Sequence, residues 1–209
     1  MTGRMFFANW RQAAVDAERL KKESVEAQYN NLKNQVNPHF LFNSLNALTN
    51  LVYQDQDKAV KFIKQLSDVY RYVLNSRDKE VVSLDEELKF LEAYAFLQQI
   101  RFGGKLKIDI DLKDVKSVVA PMALQMLVEN AIKHNEISEE HPLHIKIYRQ
   151  EKTLIVENTL QRKSVLADES SGLGLENIKK RYEFLSTSEV EVSEGEGKFI
   201  VSVPIIELA

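Results

Sequence analysis

Cysteine is absent from the 209 residues, which removes disulfides, thiolate nucleophiles and sulfur-ligated metals together and fits a reducing compartment. Histidine occurs only at positions 39, 134, 141 and 144, so imidazole metal sites are restricted as well. No run reaches the roughly 18 apolar residues of a membrane span, and the N-terminus has no apolar signal-peptide core. Neither sign of charge dominates. Lys and Arg total 28 against 31 Asp and Glu, for a formal charge of -3, and the basic residues are spread along the chain, which argues against a nucleic-acid binder. What is present is 44% hydrophobic and 28% charged residues, enough for a real core and one or two domains.

Between Trp10 and Asn50 there is no glycine and the only proline is Pro38, so a long helix is the simplest reading, with Pro38 bending it. Trp10, Ala13, Ala17 and Leu20, then Val25, Tyr29, Leu32 and Val36 after a slip, form a narrow seam of 3-4 spacing that suits a coiled-coil dimer stalk. From Phe40 to Leu51 the apolar density rises and a bundle begins. Phe6, Phe7 and Trp10 are aromatics ahead of a polar helix, a pattern found where a helix leaves a bilayer. We therefore expect a membrane segment upstream in a longer parent protein. A dimer contact or a cloning remnant is the plainer account, and a full-length reading frame starting at Met1 would end the first.

A second helix is expected over Gln56 to Asn75, with Ala59, Phe62, Ile63, Leu66, Val69, Tyr70 and Val73 on one face. A third starts at a capping box, Ser83 with Glu86, and is stopped by Gly103-Gly104. The period then switches to two at Leu106, Ile108, Ile110 and Leu112, an amphipathic strand. Pro121 opens a helix to His134. Strands follow near 143–148 and 153–157, a polar loop over Thr159 to Ser171, a helix over Leu173 to Leu185, and a hairpin around Glu194-Gly-Glu-Gly197. The fold class is α+β: a helical region over 1–103, then a mixed domain over 104–209 of order β-α-β-β-loop-α-β-β, its sheet covered on one face.

Three motifs can carry chemistry. Asn37-Pro-His-Phe-Leu-Phe-Asn43 presents His39, and a neutral imidazole is a good nucleophile towards a phosphoryl group. Spacing alone favours His39 as an ordinary seam residue three after Val36. Leu127-Val-Glu-Asn-Ala-Ile-Lys-His134 puts Asn130, Lys133 and His134 along one side of a helix, where an amide oxygen can ligate Mg2+, Lys and His can meet phosphate oxygens, and the Glu129 carboxylate can polarise a nucleophile. The bland alternative is a solvated helix face. Gly172-Leu-Gly-Leu175 leads into a helix, where backbone N–H groups can approach a phosphate, or it is simply a glycine-rich loop end. His141 and His144, beside Pro142, match no carboxylate cluster, so a metal-dependent hydrolase has little support.

Taken in this order, the three motifs resemble the cytoplasmic kinase region of LytS-type sensor histidine kinases, whose ATP-binding half belongs to the GHKL superfamily. Asn37 to Asn46 is similar to the phosphoacceptor box, Leu127 to His134 to the N box, and Gly172 to Arg181 to a glycine box; Ile100-Arg-Phe also resembles a segment of that family. The resemblance implies a helical dimerisation region followed by a GHKL-type α/β sandwich. His39 would receive the γ-phosphoryl group of ATP, with Glu129 as polarising carboxylate and Asn130 holding Mg2+. Lys133 and His134 would lie near the phosphates, and Gly172, Leu173, Gly174 and Leu175 would close on the triphosphate. Thr159 to Ser171 would be a lid. It further implies a homodimer, transfer to an Asp on a response-regulator receiver domain, a bacterial cytoplasmic location, and membrane attachment through an upstream segment of an inner-membrane parent.

Where many GHKL proteins carry Asp-x-Gly-x-Gly, this chain has Val156-Glu-Asn-Thr-Leu160. Either Asn158 or Glu157 takes the Asp position that reads the adenine amino group; Asn158 is favoured because it shares a strand face with Val156. A neutral amide should hold adenine more weakly than a carboxylate. Phe40 follows His39, so no adjacent carboxylate orients the imidazole, and Asn43 one turn on is the candidate orienter. The competing function is a degenerate kinase acting as a non-catalytic dimeric signalling module, favoured by the missing glycines.

Overall fold

The computed structural model describes residues 37–76, 78–112, 117–163 and 173–206. Contacts divide the chain into two units, Met1–Asn43 and Ser44–Ala209. The seam from Trp10 to Val36 and the aromatics Phe6 and Phe7 lie outside the described residues, as does Gly172.

Helix α1 (Pro38–Gln54) begins at the proline itself. Asn37 caps it, its Oδ1 accepting from the Phe40 amide at 3.1 Å. The expected bend inside a continuous helix is therefore corrected. At the first helical position proline's missing N–H costs nothing and its fixed φ suits the turn.

In the second unit, Asp55 ends α1 and caps α2 (Gln56–Asn75) by accepting from the Lys58 amide at 2.9 Å. Ala59, Phe62 and Val69 bury one face of α2, but Ile63, expected on that face, is half exposed. Helix α2 packs on α3 (Leu84–Phe102), where Tyr72 stacks on Phe90 with ring centroids 4.2 Å apart. Ser83 caps α3 from the Glu86 amide as expected, while the Glu86 carboxylate turns to Lys79. Gly103, at φ 62°, stops it in a conformation that favours glycine.

Two-residue strands β1 (Val82–Ser83) and β3 (Val118–Val119) pair antiparallel, too short for any periodicity to announce them. The main sheet contains β2 (Leu106–Asp111), β4 (Leu143–Gln150), β5 (Thr153–Thr159), β6 (Glu191–Gly195) and β7 (Lys198–Pro204) in the order β2-β4-β5-β7-β6. Among the described residues only the β2–β4 pair of this sheet is parallel. The register puts Ile108, Ile145, Val156 and Val201 on one buried face, leaving Lys107 and Lys146 on the other in solvent. Helices α4 (Ala123–His134) and α5 (Leu173–Leu185) pack together, and α4 covers β4 and β5 with Leu124, Leu127, Val128, Ala131 and Ile132 buried. The architecture is thus α+β with a mixed sheet covered on one face. Helix α4 starts two residues after the expected Pro121, because Met122 sits at φ 61° and the Glu87 carboxylate, 3.0 and 3.2 Å from the Met122 and Leu124 amides, caps the helix from outside.

Candidate functional site

His39 is exposed on the first turn of α1, and Asn43 lies one turn later with its Nδ2 3.0 Å from His39 Nε2. This is the i, i+4 geometry of one helix face. The amide thereby restrains the ring against rotation.

The remaining candidates lie in the second unit, mostly on α4. Glu129 and Asn130 are half-buried. Gln125 donates to Glu129 Oε2 at 2.7 Å, and Gln125 also hydrogen-bonds the buried Tyr94 hydroxyl, which accepts from Gln98 Nε2 at 2.8 Å. A polar chain from α3 to α4 thus ends on Glu129. Sequence reasoning missed Gln98, Tyr94 and Gln125, since an apolar helix pattern conceals which polar residues face inward. One turn past Asn130, Lys133 is exposed and His134 half-buried. Burial, then the charges of Lys133, Lys163 and Arg162, lower the His134 pKa, so at neutral pH it is an uncharged imidazole.

The N-terminus of α5 meets this face of α4. A β-carbon built on Gly174 would stand 3.1 Å from Asn130 Oδ1, so glycine is what allows the helix start to approach the amide. Leu175 beside it is half-buried, and Leu173 opens the helix. Asn130 and Gly174 are therefore brought together. The Asn130 amide oxygen and the half-buried Glu129 carboxylate supply hard oxygen donors of the kind Mg2+ prefers, and the backbone N–H groups at the start of α5 are donors of the kind a phosphate takes, so these residues fit a Mg2+–nucleotide ligand.

Asn158 is buried on the inner sheet face with Val156, its Nδ2 donating to the Thr159 carbonyl at 2.7 Å. Glu157 lies on the opposite face, held by Lys198 at 3.0 Å. The segment after β5 is fastened rather than loose. Gln161 N donates to buried Asn135 Oδ1 at 2.8 Å, Glu136 N donates to the Gln161 carbonyl, and Lys163 Nζ donates to the Lys133 carbonyl at 2.8 Å. A cation on the last carbonyls of α4 also suits the helix dipole. Of the expected lid, the first residues to Lys163 are thus pinned, and 164–172 lie outside the described residues. His144 pairs with Asp109 at 2.7 Å on the open sheet face, which, with Lys107, lowers the Asp109 pKa.

A family model described as histidine kinase matches residues 27–106. The chain is 32% identical over 195 residues to sensor protein LytS of Enterococcus faecalis, covering 85% of this chain and 32% of that protein. It is 33% identical over 184 residues to sensor histidine kinase/phosphatase LytS of Staphylococcus aureus, covering 79% and 32%. The chain spans about a third of the length of these curated relatives. Among solved structures it is similar to the histidine kinase AdeS of Acinetobacter baumannii (TM-score 0.42, 13% identity, 76% of this chain and 82% of that one). A second is the catalytic domain of histidine kinase ThkA (TM-score 0.43, 16% identity, 59% and 97%).

Proposed function

The chain belongs to the histidine kinase family, and from that premise we propose that it is the kinase portion of a two-component sensor. It phosphorylates His39 from ATP and passes the phosphoryl group to an aspartate of a response-regulator receiver domain. A ring nitrogen of His39 forms the N–P bond as the bond between the γ-phosphorus and ADP breaks. The observation that carries the reading is the contact of Gly174 with Asn130, which joins two sequence-distant motifs at one place.

Asn130 Oδ1 holds Mg2+, which when bound offsets the charge of the phosphate oxygens. Lys133 gives those oxygens a full positive charge and neutral His134 a single N–H. Gly172, with Leu173, Gly174 and Leu175 at the start of α5, takes the triphosphate, and Asn158 reads the adenine amino group. Glu129 polarises the acceptor imidazole and Asn43 orients it. Two chains associate through the stalk and through α1 and α2, which expose Leu45, Val52, Val60 and Ile63. The division near 103/104 separates the dimerising, phosphoacceptor region from the nucleotide-binding one. The parent protein carries the membrane segment upstream, with this portion in the bacterial cytoplasm.

One observation favours a second reading, the non-catalytic signalling module: Val156-Glu-Asn-Thr-Leu160 has no glycine where GHKL enzymes place their first glycine box. Incubation of the purified chain with γ-labelled ATP and Mg2+, beside His39→Gln and Asn130→Ala, separates the two. Acid-labile, base-stable label lost in both variants supports the kinase. No label and no ATP binding, even with a leucine zipper enforcing the dimer, would sink it in favour of the module.

A further inference from the structure

Glu87 is a fully buried carboxylate that none of the chemistry above uses. It lies on the first turn of α3, and each of its hydrogen bonds reaches another element. The Tyr72 hydroxyl of α2 donates to Oε2 at 2.6 Å, the Met122 amide donates to Oε2 at 3.0 Å, and the Leu124 amide donates to Oε1 at 3.2 Å. Burial pushes its pKa up to about 7 against the pull of those three donors and of Arg181. The same Ala120–Met122 turn is held from α5, where the Tyr182 hydroxyl accepts from the Ala120 amide at 3.3 Å and Arg181 Nη1 donates to the Pro121 carbonyl at 2.9 Å. One turn of backbone is therefore gripped by side chains from α2, α3 and α5, and it launches α4.

A plain helix cap needs only the two amide bonds. The Tyr72 hydroxyl connects the cap to α2, the helix that follows the one bearing His39, and itself meets the Met122 backbone. At 2.6 Å the Tyr72–Glu87 bond is a short contact in a dry setting. Helix α4 is an unbroken rod of 12 residues, so a displacement at Met122 is carried along it to Glu129 and Asn130 rather than absorbed on the way.

We propose that the Tyr72–Glu87 pair is a positioning link that sets α4, and with it Glu129 and Asn130, according to where α2 stands. The proposal rests on the kinase reading for the roles of Glu129 and Asn130. It assigns Tyr72 and Glu87 no contact with nucleotide. They act through the turn at Met122.

The test uses the full chain with Tyr72→Phe, which keeps both Glu87–amide bonds and removes the hydroxyl that ties them to α2, and Glu87→Gln, which weakens the cap as well. Three quantities are read: affinity for a fluorescent ATP analogue, the initial rate of label on His39 at saturating ATP, and amide exchange at Met122, Leu124 and the first turn of α4. Tyr72→Phe is expected to leave affinity within twofold, lower the saturating rate at least fivefold and speed exchange at least fivefold, while Glu87→Gln loses affinity too. A saturating rate within twofold of wild type in Tyr72→Phe overturns the proposal, and so does a loss confined to affinity. If wild type neither binds ATP nor labels, the kinase reading has failed on its own, and exchange decides the link: unchanged protection at Met122 and Leu124 overturns it.

Discussion

Gly174 at the start of α5 and Asn130 in the middle of α4 are in such close contact that a β-carbon at residue 174 would stand 3.1 Å from Asn130 Oδ1 and 3.3 Å from Nδ2. An amide so placed has to move aside for any side chain. In Gly174→Ala the loss of that position is expected to weaken Mg2+–ATP binding about tenfold, some 1.4 kcal/mol. Stability should hold, because alanine gains about 1 kcal/mol of helix propensity over glycine. Calorimetric titration beside a thermal melt checks both; unchanged affinity would remove Asn130 from the nucleotide site.

Asn43→Ala removes the group 3.0 Å from His39 Nε2. A free imidazole samples several rotamers, so the rate of His39 labelling is expected to fall about 10- to 100-fold while ATP affinity is untouched. Labelling at the wild-type rate would refute Asn43 as the orienter.

Gln125→Met keeps most of the side-chain volume but severs the chain from Tyr94 to Glu129. If Glu129 polarises the acceptor, its loosened carboxylate lowers the saturating labelling rate about tenfold with ATP affinity constant. Single-turnover kinetics reads this directly, and an unaltered rate would leave Gln125 as a packing residue only.

Glu87 gives a pH signature. Its folded pKa of about 7 lies above the ordinary 4.5, so the folded state holds this proton more tightly than the unfolded one. That contribution is complete below pH 4.5 and is lost as pH rises through 7, a change of about 3 kcal/mol. The groups facing it are Tyr72 from α2, with Glu86 acting on Tyr72 from α3, and Arg181 and Tyr182 from α5. The Tyr72 and Tyr182 hydroxyls are both held above their ordinary value, outside the window. Urea unfolding from pH 4.5 to 8 should therefore show wild type losing stability relative to Glu87→Gln; a difference that grows in the opposite sense, or none, contradicts the assignment.

Much of this was legible in the sequence, for identifiable reasons. The α2 and α3 boundaries, the Ser83 cap and the Gly103 stop are local events written in a few residues. The strand alternation from Leu106 and the hairpin turn, where Glu196 and Gly197 both take positive φ, are equally local. Pro38 misled because proline weighs the same in a pattern whether it sits inside a helix or opens one; only the Asn37 cap distinguishes the two. Of the candidate site, the residue types on α4 were readable from spacing. The contact of Gly174 with Asn130, the Asn135 and Lys163 fastenings and the buried Tyr94 and Glu87 were not, because each joins positions far apart in sequence.

The parallel seam between β2 and β4 bears on the order in which the molecule assembles. Its partners, such as Ile108 and Ile145, are separated by the whole of α4, whereas β6 and β7 meet across a two-residue turn. Closing the longer loop forfeits more chain entropy before any pairing is returned, so the hairpin can form in microseconds while β2 must wait for α4 to be laid down. The β4–β5 and β6–β7 hairpins are thus the early pieces, the β5–β7 seam closes only across the whole of α5, and β2 is likewise a late arrival. It docks at the border of the sheet, where Lys107, Asp109 and Asp111 put charge along a rim that would otherwise invite a foreign strand.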